Sequence, residues 1–306
     1  MPGYRVLHDV QLPGDTSRWD YTAYDAAARR LYLAHLGASQ IVVFDTARNQ
    51  AVRTIDGVDN VHGLVLAPDL GRLFASATGQ NQLVAIDTTT LQKVGSAPTG
   101  DYPDGVAYAP TAGKLFVSNE QGSGDTVIDA RTMKRLADVR LGGDIGNSYY
   151  DPGSQLVYVA VGSDNRLIKL DPATGNTVGQ YQLAGCSGAH GLQLDRPERH
   201  RAFVACADNA RLVAVDLASG TIGANVPIGE QPDVLALDSG LQRLYVASES
   251  GQVAVLEVTE RVKKLTQGNA GPNAHSVAVD SQTHVAYLPL TSVGGHSVLR
   301  ELGQGG

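Results

Sequence analysis

The sequence predicts an all-β fold, a seven-bladed β-propeller with four-stranded blades, formed by residues 1–306 as a single domain. Three observations predict it. One pattern repeats seven times, each repeat alternates like a set of strands, and the N-terminal segment supplies the strand that the last repeat lacks. A repeat that returns to its own beginning predicts a closed ring of blades.

The repeat is clearest where each segment opens. The openings lie 42 or 43 residues apart. They read WDYTAYD from Trp19, VHGLVLAP from Val61, PDGVAYAP from Pro103, GNSYYDP from Gly146, AHGLQLD from Ala189, PDVLALD from Pro232 and AHSVAVD from Ala274. A period of about 40 residues is typical of propeller blades, which predicts one blade for each segment.

Strand-like alternation fills each segment. The second strands read LYLAHL, LFASAT, LFVSNE and similar runs, and the third read IVVFD, LVAID and LVAVD. Their period of two, rich in β-branched and aromatic residues, predicts β-strands, and no long helical period competes. Polar stretches such as DTARNQ and DPATGN stand where a hairpin must reverse.

The ends of the chain complement each other. The seventh segment stops after its third strand, near Leu302, whereas the N-terminal YRVLHDVQLPG resembles the fourth strands of the other segments. We therefore expect the N-terminal strand to close the last blade, which removes an open sheet edge.

Composition narrows the partners. The net charge is −7 and no block of Lys or Arg occurs, so we expect no nucleic-acid partner. No apolar run approaches the roughly 20 residues that span a bilayer, which predicts no membrane insertion. The N-terminal residues show no apolar signal core. We expect a monomer that binds a small molecule.

Several segments resemble a known family over essentially the whole chain. WDYTAYDAAARRLYLAH, VHGLVLAPDLGRLFAS, DTVIDARTMK and GCSGAHGLQLD are similar to the YVTN-repeat, YncE-like β-propellers. Because members are commonly exported, the resemblance implies a periplasmic or secreted protein, with the cytoplasm as the alternative. Its function is not implied, since this fold hosts many activities. The chain departs from the family at Ala189-His190 and Ala274-His275, which suggests a specialised activity.

The second residue of every opening is polar. Because each stands at the start of an innermost strand, we expect all seven to face the mouth of the central channel. We call these residues the ring: Asp20, His62, Asp104, Asn147, His190, Asp233 and His275.

The three ring histidines suggest a metal site. His62, His190 and His275 belong to blades two, five and seven, and each blade turns by roughly 51° about the axis. They would surround the axis almost as a triangle. Imidazole suits a divalent transition metal such as Zn, Cu, Fe or Ni, and an open coordination position would admit substrate.

Four other residues are candidates for catalysis. Asp20, Asp104 and Asp233 could orient the imidazoles or act as general bases, and Tyr149 could transfer a proton. Aspartates near a loop also bond to nearby backbone N–H groups, so a structural role, or a polar ring that holds water, is the alternative. Core packing is the alternative for Tyr149.

Five residues are candidates for substrate binding near the mouth: Arg18, Trp19, His35, Asn147 and Glu249. We expect His35 beside Asp20 and Glu249 beside Asp233, because second strands end on the same face. Solvated loop positions are the alternative for His35 and Glu249. Trp19 could line a pocket or pack between blades one and two.

The two cysteines lie close in the predicted pairing of blade five. Cys186 precedes the innermost strand and Cys206 ends the second strand. We expect a disulfide, which would indicate an oxidising compartment. Two buried thiols or a metal thiolate are the alternatives.

These features lead to one hypothesis and two rivals. The leading hypothesis is a metal-dependent enzyme, a lyase or hydrolase, acting on a small molecule at the channel mouth. The first rival is a non-catalytic propeller that binds a ligand or a protein. The second is a metal-independent, lactonase-like hydrolase, for which Glu249 and Arg18 would be the basis.

Overall fold

The structure, a computed structural model, describes residues 1–305 and consists mainly of β-strands. The strands form seven four-stranded antiparallel sheets, which confirms the predicted fold class. Short 3-10 helices lie in the turns at Leu36–Ala38, Pro68–Leu70, Thr78–Gln80 and Pro197–Arg199. Within residues 1–305, no helix is long and apolar enough to cross a membrane.

The first strand, β1 (Tyr4–Gln11), belongs to the last blade, and the first four blades follow it in chain order. Blade 1 contains β2 (Thr22–Asp25), β3 (Arg30–His35), β4 (Gln40–Asp45) and β5 (Gln50–Asp56). Blade 2 contains β6 (Val61–Ala67), β7 (Arg72–Ala77), β8 (Gln82–Asp87) and β9 (Lys93–Pro98). Blade 3 contains β10 (Pro103–Ala109), β11 (Lys114–Asn119), β12 (Gly124–Asp129) and β13 (Arg135–Arg140). Blade 4 contains β14 (Ile145–Asp151), β15 (Leu156–Val161), β16 (Arg166–Leu170) and β17 (Thr177–Gln182).

The remaining three blades continue the same order. Blade 5 contains β18 (Ala189–Leu194), β19 (Arg201–Cys206), β20 (Arg211–Asp216) and β21 (Ile222–Pro227). Blade 6 contains β22 (Pro232–Asp238), β23 (Arg243–Ser248), β24 (Gln252–Val258) and β25 (Val262–Asn269). Blade 7 contains β26 (Ala278–Asp280), β27 (Val285–Val293), β28 (His296–Gln304) and, at its outer edge, β1.

Two sets of contacts close the ring of blades, one between the innermost strands and one at the outer edge of blade 7. The innermost strands contact one another from blade to blade, and β26 of blade 7 contacts β2 of blade 1. At the outer edge, β1 pairs antiparallel with β28, from Tyr4 opposite Gln304 to Gln11 opposite Val298. The predicted closure by the N-terminal strand is therefore confirmed, and it ties the two ends of the chain into one sheet.

The apolar core lies between neighbouring blades, as one cluster at each interface. Trp19 is fully buried in the cluster between blades 7 and 1 and stacks on His35, with ring centroids 3.8 Å apart. The alternative that Trp19 packs between blades one and two is therefore wrong, because its cluster joins blades 7 and 1. Both side chains are buried, and a role in substrate binding stays a prediction for them. Consecutive residues of an extended chain point to opposite sides, so Trp19 faces away from the channel that Asp20 faces.

A β-bulge marks the start of the innermost strand in blades 2 to 6. The pairing with the second strand skips two residues, which are the ring residue and its successor in blades 2, 3, 5 and 6 and Gly146 with Asn147 in blade 4. In blades 1 and 7 the innermost strand begins only after the ring residue, at Thr22 and Ala278. Bulges redirect side chains, so every ring residue leaves the regular ladder and can turn toward the channel.

Cys186 and Cys206 form the expected disulfide, with Cα atoms 5.3 Å apart. It joins the loop before β18 to the end of β19, and Ala189 pairs directly with Cys206. The bond therefore fixes the segment that leads into His190. A disulfide is consistent with an oxidising, extracytoplasmic compartment.

Candidate functional site

Five of the seven ring residues line a cavity of about 550 Å³ at one mouth of the channel, which we call the cup, whereas Asn147 lines a second cavity further along the channel. Six of the seven are buried, and the side chain of His190 is 27% exposed. The ring members that line the cup are Asp20, His62, Asp104, His190 and Asp233. The repeat in the sequence thus becomes one polar surface built by many blades.

Five consecutive blades alternate histidine and aspartate around the mouth. We call this run the arc: His190, Asp233, His275, Asp20 and His62, in blades 5, 6, 7, 1 and 2. Nε2 of His190 lies 3.5 Å from Oδ1 of Asp233. Both other imidazoles approach Asp20, with Nε2 of His275 at 3.9 Å from Oδ1 and Nε2 of His62 at 3.9 Å from Oδ2. Each imidazole of the arc therefore has a carboxylate as its neighbour.

The centre of the arc is the group with the geometry of a metal site. Asp20, Asp233 and His275 each offer one ligand atom, and these atoms lie within 4.8 Å of one another. Both carboxylate oxygens of Asp20, Oδ1 of Asp233 and Nε2 of His275 are buried and have no hydrogen-bond partner. Buried polar atoms are normally satisfied, so four unsatisfied atoms on three neighbouring residues mark this group as a candidate cation site.

The two histidines beside Asp20 have the same orientation. Nδ1 of His275 lies 3.3 Å from the carbonyl oxygen of Asn273, and Nδ1 of His62 lies 2.8 Å from that of Asn60. A carbonyl only accepts hydrogen bonds, so Nδ1 carries the proton in each ring. Each Nε2 is left facing Asp20, which is the arrangement that a metal-binding imidazole needs.

The electrostatics favour positive charge in the arc. Burial opposes protonation of His275, but the neighbouring carboxylates of Asp20 and Asp233 outweigh burial and raise its pKa. Burial likewise opposes protonation of His190, yet the neighbouring carboxylates of Asp233 and Asp104 raise its pKa to about 10. Burial raises the pKa of Asp104 to about 7, against the pull of His62 and His190.

The side chains of the ring aspartates accept no hydrogen bond from the backbone of the described residues. Among residues 1–305, no backbone N–H group donates to the side chain of Asp20, Asp104 or Asp233. The structural alternative considered for these aspartates, a turn held by a side-chain acceptor, is therefore not what the structure shows.

Tyr21 is the phenol of the site, and the sequence reading missed it. Its hydroxyl donates to Oδ1 of Asn147 at 2.6 Å and lies 3.3 Å from Oδ2 of Asp104. Tyr149, which was predicted for this role, lies in a second cavity further along the channel, where Gln193 donates to its hydroxyl at 3.2 Å. Tyr149 stands two residues beyond Asn147, about 7 Å along the strand, so the correction follows from strand geometry.

The rim of the cup holds further polar residues. Arg18 forms an ion pair of 2.7 Å with Glu249 and lies 3.6 Å from Asp20, so the structure brings these predicted residues together. Tyr102, another residue that the sequence reading missed, packs edge-on against His62, with its hydroxyl 3.4 Å from Nε2. Its signal in the sequence was its position two residues before Asp104.

The three histidines do not meet at one point. Within residues 1–305 the one group of metal-ligand type contains His275 but neither His62 nor His190. Side chains from blades spread evenly around the channel could reach one metal ion only at the channel axis. Side chains from the neighbouring blades 6, 7 and 1 can instead come together at the channel wall. The group that has the geometry of a metal site is instead Asp20, Asp233 and His275.

Small residues let the ring pack. Gly63 and Gly191 follow His62 and His190, and a Cβ atom on either would collide with the backbone carbonyl of the next blade's ring residue, Asp104 or Asp233. Glycine is thus required here for close approach of two backbones. Blades 2 and 5 thus pack closely against the ring residues of blades 3 and 6.

Comparison with known proteins identifies the fold and nothing narrower. No family model matches the chain, and no curated protein matches it, so the resemblance to YVTN-repeat, YncE-like propellers stays a prediction. Solved structures similar over nearly the full length include Kuenenia stuttgartiensis hydrazine synthase, with a TM-score of 0.79, 15% identity and coverage of 96% of this chain and 97% of that chain. The WD40 repeats of RRP9 match with a TM-score of 0.80 and 11% identity, and the match covers 99% of this chain and 98% of that chain. U3-55K matches with a TM-score of 0.80 and 10% identity, and the match covers 98% of each chain.

Proposed function

We propose that the protein is a metal-dependent enzyme that acts on a small molecule in the cup. A divalent transition metal would be held by Asp20, Asp233 and His275. The observation that carries the proposal is the set of four buried, unsatisfied atoms on these three residues, whose ligand atoms lie within 4.8 Å of one another. A bound cation would satisfy the carboxylates, which burial otherwise penalises.

The donor set narrows the choice of metal. Carboxylate oxygen and imidazole nitrogen bind Zn²⁺ at about 2.0–2.2 Å, and the same donors occur in non-haem Fe sites. Two carboxylates and one imidazole suit Zn or Fe better than Cu, and nothing in the set is a soft thiolate. Three protein ligands would leave coordination positions open toward the cup.

The chemistry we propose is hydrolysis or elimination. The metal would supply a Lewis acid. His190 and Asp104 lie outside the ligand set, line the cup and approach each other to 4.0 Å. They are the groups that could hold or move a proton at the substrate. The hydroxyl of Tyr21 donates a hydrogen bond to Oδ2 of Asp104 at 3.3 Å and would help to orient this carboxyl group.

Two alternatives remain as candidates of a different class. The alternating arc balances part of its own charge without a metal, which favours a binding propeller that holds a small charged ligand. The paired Arg18 and Glu249 are the basis for a metal-independent, lactonase-like hydrolase. Under each proposal the partner is a small molecule and the protein a monomer, and the disulfide supports export to the periplasm or secretion.

A matched pair of variants tests the proposal. The intact protein, loaded with Zn²⁺ or Fe²⁺, is assayed by NMR against a panel of lactones, esters and β-hydroxy acids. We expect turnover by the native protein and by Asp216→Asn, which alters an aspartate in a surface turn, and at least about a hundredfold loss in Asp233→Asn. Equal turnover by both variants, or turnover that survives chelation, would refute the metal mechanism. Stoichiometric metal without turnover would favour the binding alternative.

A further inference from the structure

Tyr21 lines both the cup and the second cavity, which has a volume of about 440 Å³. We propose that Tyr21 is a specificity-determining residue: its side chain closes the floor of the cup and limits the substrate to a compact, hydrophilic molecule that does not enter the channel below. For the substrate, this inference rests on the proposed metal-dependent function. For the closure it rests on the contacts of Tyr21.

Tyr21 is much larger than the residues at the same position of the other blades. It directly follows the ring residue of blade 1, and the residues that follow the other six ring residues are glycine, serine or valine. None of these is long enough to reach across a channel. In chain order they are Gly63, Gly105, Ser148, Gly191, Val234 and Ser276.

The side chain of Tyr21 spans the channel. Blades 1 and 4 lie three blades apart in a ring of seven and are therefore nearly opposite each other. The hydroxyl of Tyr21 nevertheless donates to Oδ1 of Asn147 in blade 4 at 2.6 Å and lies 3.3 Å from Oδ2 of Asp104 in blade 3. Its ring also packs against the apolar cluster between blades 6 and 7. A side chain with partners on such distant blades must cross the space between them.

The tip of the tyrosine is held in place. Oδ1 of Asn147 packs against Gly105, where an added Cβ atom would lie only 2.7 Å from it, so the glycine makes room for the acceptor. Burial, with the carboxylate of Asp104 nearby, raises the pKa of Tyr21 well above its usual range. The hydroxyl therefore stays protonated and keeps donating to Asn147, which fixes the ring across the channel.

The two cavities that Tyr21 separates differ in chemistry. Charged side chains line the cup, among them Arg18, Asp20 and Asp233. Of residues 1–305, no charged side chain lines the second cavity, whose wall consists largely of aliphatic residues and tyrosines. An alkyl chain would gain free energy from burial only in the second cavity. Because Tyr21 stands in between, a chain attached to a group bound in the cup cannot reach that wall.

A series of hydroxamates tests the inference, because their head group offers two oxygen ligands to Zn²⁺ or Fe²⁺ while the tail alone is varied. Acetohydroxamate, butanohydroxamate, hexanohydroxamate and octanohydroxamate are titrated calorimetrically into the intact, metal-loaded protein. We expect their affinities for the native protein to agree within about threefold. In Tyr21→Ser, affinity should rise at least about tenfold from the shortest to the longest, because the tail then reaches the second cavity.

Two control variants separate closure from other effects of the substitution. Tyr21→Phe keeps the ring and should show the same small dependence on chain length as the native protein. Tyr149→Ser makes the same change within the second cavity and should do likewise. Blades 4 and 7 have serine at the position of Tyr21, so the fold should accept Tyr21→Ser. If circular dichroism shows that it is unfolded, Tyr21→Val, which matches blade 6, takes its place.

The outcomes distinguish failure of this inference from failure of the proposed function. Native affinity that rises with chain length, a shortened Tyr21 without such a rise, or an equal rise in Tyr149→Ser would overturn the inference and leave the metal site standing. No binding of acetohydroxamate by metal-loaded native protein would overturn the proposed function and this inference with it.

Discussion

Two sets of aspartates repeat around this propeller, and their surroundings differ completely. One set lies at the end of the third strand of a blade or directly after it: Asp45, Asp87, Asp129, Asp171 and Asp216. Each accepts from one or two backbone N–H groups two or three residues ahead, as Asp216 accepts from Ala218 at 3.1 Å and Ser219 at 2.7 Å. The ring aspartates Asp20 and Asp233 have buried oxygens with no hydrogen-bond partner.

The difference separates a structural repeat from a functional one. Hydrogen bonds from Ser219 lower the pKa of Asp216, so the turn uses its carboxylate in the folded chain. The ring buries the same group without satisfying it, which costs stability unless something else binds there. Recurrence of a residue at one blade position therefore says little about its role until its hydrogen bonds are counted.

A third kind of aspartate gives the largest expected effect. Asp125 is fully buried between blades 3 and 4 at a position where other blades have Leu83 or Leu167, and Ser148 donates to it at 2.9 Å. Burial raises its pKa to about 7, against the hydrogen bond from Ser148. Between about pH 4 and 7 the folded chain thus holds a proton that the unfolded chain has released. The contribution of Asp125 to stability should therefore fall by roughly 1.4 kcal/mol per pH unit in this window and level off above pH 7.

Asp125→Asn should remove that slope. Urea unfolding of both proteins between pH 4 and 8 measures it, because all other groups titrate alike in the two. The free energy of unfolding of the variant, relative to that of the native protein, should increase as the pH rises to 7. Parallel stability curves would show that Asp125 is ionised in the folded state and that burial alone does not mark an aspartate as unsatisfied.

Substitution of an aspartate in the turn set should lower stability by less and should leave metal binding unchanged. Asp216→Ala removes three hydrogen bonds in one hairpin. We expect the melting temperature to fall by about 2 °C and metal affinity to stay unchanged. A calorimetric scan beside a metal titration checks both, and a loss of metal binding would break the distinction between the two sets.

The ring set should behave in the opposite way. Asp20→Asn removes a buried carboxylate that accepts no hydrogen bond. In protein stripped of metal, we expect its melting temperature to lie within about 1 °C of the native value or above it. A fall as large as that of Asp216→Ala would mean that Asp20 stabilises the fold through its contacts with Arg18 and His275.

The smallest effect is expected at Tyr149. Its hydroxyl contacts Gln193 in the second cavity, outside the cup. Tyr149→Phe should leave metal content and ligand binding in the cup unchanged and should alter stability by less than about 1 kcal/mol. A change in metal affinity would place the functional site deeper in the channel than the ring.

The sequence predicts the frame of the site well, because a period of 42 or 43 residues puts equivalent positions at one mouth of the channel. That argument alone gives Asp20, Asp233 and His275 their places. Pairing within blade five likewise predicts the disulfide between Cys186 and Cys206.

What the sequence does not give is the direction of side chains and the width of the channel. Tyr21 lies directly after Asp20 and before Thr22, the first paired residue of blade 1, so strand alternation does not predict that its hydroxyl reaches Asn147. The trio of histidines was chosen by angle, but ligands meet only if the distance also fits. Neighbouring blades bring Asp233, His275 and Asp20 together at the channel wall. This placement depends on the distances across the channel, which the repeat period does not give.

Metal content tests the central claim most directly. Native protein, Asp20→Asn/Asp233→Asn and Asp216→Asn are purified without chelator, reconstituted with Zn²⁺ or Fe²⁺, desalted and assayed by elemental analysis. The account predicts about one metal ion per chain in the native protein and in Asp216→Asn, and about a tenth or less in the ring variant. No stoichiometric metal in the native protein, or equal retention by the ring variant, would contradict it.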